Sequence, residues 1–206
     1  MRSQSPLFHH SLDWRFLLPL TDPKQICVLL EEDQDFSQAL EQVGIGASQQ
    51  LSFSELKQNP VHEVHSIVLP FGIPVDWVTA KPADQVEFYE SLRRLIASDG
   101  SLLVGFNNVW NLRTNSQKKY YPATPQRIVN QFKQAGFASV TLFGSMSNLT
   151  VPEYIFDLEA RTIQFALQNR FRRKPAVLRA LRVLSVTIGP RRISNFLPCY
   201  FAVATV

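Results

Sequence analysis

The chain has 206 residues, 45% of them hydrophobic, enough for one domain to bury a full core, and its thirteen prolines and eight glycines are scattered without a repeat or low-complexity linker. The net charge of +4 is divided unevenly: nine Lys and Arg follow Glu159 with no acid among them, while residues 1–159 hold all 17 acids against 12 bases, an asymmetry suited to an anionic partner. No run reaches the roughly 20 uncharged apolar residues of a bilayer span, the cluster Trp14 to Leu20 is broken and flanked by charges and lacks a cleavage site, and the two cysteines, Cys27 and Cys199, sit in apolar strand-like segments, as buried thiols of a reducing cytoplasm do.

In chain order, Gln25 to Leu30 is a short β-branched and apolar run that predicts a strand buried on both faces. Phe36 to Val43 has helical spacing and stops at Gly44. Gln50 to Phe53 reads as a short strand, with Ser54 capping a brief turn that ends near Pro60. Val64 to Phe71 is a second buried strand. Ala83 to Ala97 predicts a helix, Asp99-Gly100 the turn after it, and Ser101 to Phe106 a third buried strand. Thr124 caps a helix with Pro125 at its first position and Gly136 as its stop, and Phe137 to Phe143 follows as a strand. Residues 158–188 read as mostly helical, and Phe196 to Val206 as the last strand. Strands alternating with helices at this spacing predict a parallel, doubly wound sheet, whose ligands lie beyond the strands' carboxyl ends.

Three stretches carry a family resemblance. Phe88 to Asn108 (FYESLRRLIASDGSLLVGFNN), Pro125 to Gly144 (PQRIVNQFKQAGFASVTLFG) and Tyr200 to Ala204 (YFAVA) resemble the turn and fifth strand, the following helix and sixth strand, and the antiparallel seventh strand of class I S-adenosylmethionine-dependent methyltransferases. The resemblance implies one three-layer, Rossmann-like α/β domain over 1–206. Its mainly parallel sheet would have about six strands, ordered 2-1-4-5-7-6 in the family's labels with strand three absent. A helical insertion would occupy about 146–195. The missing strand follows from length. Gly44 to His65 spans 22 residues, and two strand-helix units need on the order of 12 residues per crossover plus about 5 per strand.

The cofactor motif of the resembling family is eroded. Its glycine-rich turn, which lets backbone approach the ligand, is replaced by Leu30 to Asp35, where Glu31, Glu32, Asp33 and Asp35 stand without a glycine. No acid closes the second strand, and Glu55 is the one substitute on offer. The expectation is therefore a methyltransferase-like protein that binds no cofactor and serves as a non-catalytic partner or scaffold in a biosynthetic pathway. Two alternatives stand beside it: an active enzyme that uses S-adenosylmethionine on a small-molecule, glycan or lipid-linked substrate, and a peripheral binder of an anionic surface.

Other residues are weighed by position. Trp77, Asn107, Asn108, Trp110 and Asn111 fall where substrate groups lie in the resembling family and form a candidate pocket. The acidic cluster suits a solvated helix N-terminus better than a cation site. His62, Glu63 and His65 enter a strand, where residues three apart point to opposite faces, so no metal is expected. Arg170, Arg172, Arg173 and Lys174 form a basic surface for a protein partner or an anionic membrane. The few aromatics beside them argue against nucleic acid. The expected location is the cytoplasm, peripheral to a membrane if the basic surface docks there.

Overall fold

The computed structural model describes residues 12–18, 22–30, 34–46, 49–52, 55, 64–109, 119–149, 152–172, 195 and 197–206. Its elements are β1 (Ile26–Leu29), α1 (Gln34–Gln42), β2 (Gln50–Leu51), β3 (Val64–Leu69), α2 (Pro82–Arg93), β4 (Ile96–Asn107), α3 (Pro125–Gln134), β5 (Ser139–Ser147), β6 (Pro152–Asp157), α4 (Ala160–Arg170) and β7 (Cys199–Thr205). A 3-10 turn at Asp13–Leu17 precedes them.

Local chemistry sets the boundaries. The Thr124 hydroxyl accepts from the Arg127 N–H at 3.3 Å at the start of α3, and Pro125 occupies a first-turn position where no N–H is needed. Gly44 and Gly136, just past α1 and α3, take φ of +87° and +86°, the left-handed conformation that ends a helix.

One seven-stranded sheet runs in the order β2-β1-β3-β4-β7-β5-β6. The strands β2, β1, β3 and β4 are parallel, and β7 lies antiparallel between β4 and β5. All four residues of β1 are buried, because helices or turns cover both faces. On one face α2, α3 and α4 pack Phe88, Tyr89, Leu92, Phe132 and Ile163 against Ile67, Leu69 and Val104. On the other, α1 and the 3-10 turn bring Phe36, Leu40 and Trp14 onto Val28, Val68 and Phe201. The Tyr89 and Phe132 rings meet edge to face at 4.7 Å, joining α2 to α3, and burying each such side chain contributes about 2 kcal/mol.

The expected 2-1-4-5-7-6 arrangement appears as β2-β1-β3-β4-β7-β5, with two corrections. The strand count among the described residues is seven, since β6 extends the sheet beyond β5. β6 also falls inside the segment expected to be a helical insertion from about 146. There, β5 continues to Ser147, and helix occurs only at Ala160–Arg170, with 173–194 outside the described residues. The helix expected to reach Ala97 ends at Arg93, and Asp99-Gly100 lies within β4 as a bulge. The register steps from Val64 opposite Ile96 to Ser66 opposite Ser101 there. Of the brief turn expected after Ser54, only Glu55 is among the described residues.

Candidate functional site

The chain leaves β1 for β2 on one side and reaches β3 on the other, so the sheet's switch point, the usual ligand crevice, lies at the carboxyl ends of β1 and β3. Aromatic rings meet there. Phe71, in the turn after β3, lies 4.9 Å from Phe36 of α1 and 5.9 Å from Tyr120. Phe36 is 3% exposed, and the Lys119 ammonium sits 5.8 Å from the Tyr120 ring. The segment carrying Tyr120 is bonded across the strand ends. Val75 N–H donates to Lys119 O, Tyr121 N–H to Ile73 O, and Ala123 N–H to Asn107 O. The Tyr121 hydroxyl reaches the carbonyls of Val75 and Val78 at 3.2 and 3.0 Å.

At the end of β2 stands Glu55. Its Oε2 accepts from the Ser52 N–H at 2.7 Å and from the Ser52 hydroxyl at 2.8 Å, and these two bonds hold the carboxyl below its ordinary range. Of the acidic cluster, Glu31, Glu32 and Asp33 lie outside the described residues, and Asp35 is in the first turn of α1.

Of the candidate pocket residues, Trp77, Asn107 and Asn108 are among the described residues and take different places. Asn108 is 1% exposed, and its amide nitrogen donates to Asn195 O at 2.6 Å, Leu197 O at 2.8 Å and the Tyr200 hydroxyl at 3.3 Å. That is a staple between the end of β4 and the approach to β7. Asn107 keeps its Oδ1 buried without a hydrogen-bond partner among the described residues. Trp77 instead lines a groove of about 490 Å³ with Asp76, Thr79, Asp84, Glu87 and Phe88, on the α2 side. Its ring is 6.5 Å from that of Phe88. Trp110 and Asn111 lie outside the described residues.

The remaining sequence candidates are dispersed. His65 Nδ1 is 3.5 Å from Asp99 Oδ1 across the β4 bulge, and His62 and Glu63 lie outside the described residues. Among the described residues no group of three His, Cys, Asp or Glu is placed to hold a metal. Burial pushes the Cys27 and Cys199 thiols up to about 12, which makes them poor nucleophiles. Arg170 and Arg172 are exposed, and Arg173 and Lys174 lie outside the described residues. Sequence reasoning marked the strand-end stretch Phe71 to Trp77 but missed Phe36 and Tyr120 as the neighbours of Phe71. The available signal was an aromatic directly after a buried strand, at the end of the sheet where ligands bind.

Neither a protein-family model nor a curated protein sequence matches the chain. Among solved structures, a SAM-dependent methyltransferase of Archaeoglobus fulgidus superposes over 88% of this chain and 85% of its own, with a TM-score of 0.51 at 12% identity. A SAM-dependent methyltransferase of Thermotoga maritima covers 89% of this chain and 74% of its own, with a TM-score of 0.47 at 10% identity. At such identities the likeness is one of fold.

Proposed function

We infer that this chain, which has the class I S-adenosylmethionine-dependent methyltransferase-like fold, is a non-catalytic protein of that fold that acts through a protein partner in a biosynthetic pathway. The observation that carries this reading is the aromatic contact of Phe36, Phe71 and Tyr120 at the switch point. A cofactor there needs backbone amides and open space at the start of the first helix. Here the sequence leading into α1, residues 30–35, has four acids, Glu31, Glu32, Asp33 and Asp35, and no glycine. Without a glycine that stretch lacks the close backbone approach a cofactor needs, and the three rings crowd the crevice at the switch point. The residues present do not fit the cofactor, so no methyl-transfer step is derived.

One observation favours the second reading, an active enzyme. Glu55 presents an ionised carboxylate at the end of β2, where an acid of the resembling family holds the ribose. Thermal unfolding with millimolar S-adenosylhomocysteine separates the two. A ligand at 100 times its Kd stabilises by about 2.7 kcal/mol, roughly 5 °C or more for a chain of this size. The expected shift is under about 1 °C. A larger shift that Glu55→Gln removes would establish the active reading.

A further inference from the structure

We propose that the outer face of α4 docks on an anionic lipid surface, with Phe165 entering the acyl boundary and flanking arginines meeting headgroup phosphates. This inference stands apart from the state of the cofactor crevice. α4 buries Ile163 and Ala166 against the sheet, which turns Phe165 outward at 65% exposure. Arg161 and Gln168, four before and three after Phe165, share its side of the helix and are exposed, and Arg172, just past the helix end, is exposed as well. Neither Arg161 nor Arg172 has an ion-pair partner among the described residues.

A second exposed ring stands on the neighbouring strand. The two-residue connection Leu158-Glu159 turns α4 back over β6, and the two elements pack together. Strand alternation puts Tyr154 on the same sheet face as Phe156, the face that α4 covers, and Tyr154 is 45% exposed. Tyr154 thus stands on the edge strand against which α4 packs.

Charge names the occupant. After Glu159 the sequence has nine basic and no acidic residues. The nearest acids in sequence, Asp157 and Glu159, stand before the first residue of α4, and none follows. A convex helix face with a bare ring among arginines suits a yielding, planar layer of phosphates. There the ring gains burial, and each guanidinium finds an oxygen without a matched carboxylate. A rigid acidic protein would need a pocket for Phe165.

The test is sedimentation of the full chain with phosphatidylcholine vesicles containing roughly 30% phosphatidylserine, beside pure phosphatidylcholine, at low and high salt. Binding is expected only with the anionic lipid and should weaken as salt rises. Phe165→Ser should weaken it about tenfold with an unchanged salt slope, and Arg161→Gln with Arg172→Gln about fivefold per residue with a shallower slope. Phe165→Trp should bind at least as tightly as the parent, which guards against a fold defect in the serine variant, and thermal midpoints should match the parent's. Absence of vesicle binding, equal binding to neutral vesicles, or indifference to Phe165→Ser would each overturn the proposal. So would binding to soluble polyglutamate that matches the vesicle affinity, which points to an acidic protein.

Discussion

Asn108 illustrates how a single buried amide ties distant parts of the chain. Its nitrogen serves the carbonyls of Asn195 and Leu197 and the Tyr200 hydroxyl, and Asn108 N–H donates to Pro198 O at 2.9 Å. Removing the side chain leaves buried acceptors without donors. Asn108→Ala should therefore cost about 2–3 kcal/mol in urea denaturation, more than a surface asparagine change. The two thiols make a second case. Burial disfavours their thiolates, so the folded chain keeps Cys27 and Cys199 protonated up to about 12, whereas the unfolded chain ionises them near roughly pH 9. Their contribution to stability is full below roughly pH 9 and is lost as pH rises toward 12. Equilibrium unfolding across that range should show the decline, and near pH 8 a thiol reagent should modify neither cysteine until denaturant is added.

At the scale of elements, close backbone approach decides what a position tolerates. A Cβ built on Gly105 in β4 would lie 2.1 Å from the Pro70 carbonyl oxygen and 3.0 Å from the Phe201 ring, and the first is backbone that can yield only if a strand moves. Gly105→Ala should destabilise by at least about 2 kcal/mol, whereas Gly46→Ala should stay within about 0.5 kcal/mol, since the nearest atom to its Cβ is 3.9 Å away. The same crowding shapes the β4 bulge, where a Cβ on Gly100 would meet His65 O at 2.2 Å. Asp99-Gly100 carries a turn signature, and residues 97–100 do depart from regular pairing, although strand begins at Ile96. β6 was harder to read. It opens with Pro152, which lacks a ladder donor but is acceptable as the first residue of an edge strand, and the β-favouring Tyr154-Ile155-Phe156 run was the signal that counted.

For the whole molecule, the sheet order was legible because buried parallel strands are near-continuous apolar runs. Ile26–Leu29, Val64–Leu69 and Leu102–Phe106 declare themselves without knowledge of their partners. The shortened half was legible from length, and β2 is the sheet edge among the described residues. The absence of glycine from residues 30–35 could be read from the sequence alone. The aromatic contact could not, because Phe36, Phe71 and Tyr120 come from three separated segments and meet only once the crossovers are made. Asn108, expected to line a pocket, instead became a staple for a strand some 90 positions later, a pairing that local pattern does not encode.

The central claim is that a methyltransferase-like scaffold here carries a crevice closed to the cofactor. Isothermal titration of the full chain with S-adenosylmethionine and S-adenosylhomocysteine tests it most directly. The account predicts no saturable heat up to about millimolar ligand, a binding free energy weaker than roughly −4 kcal/mol. Saturable binding of either ligand at micromolar concentration would contradict it.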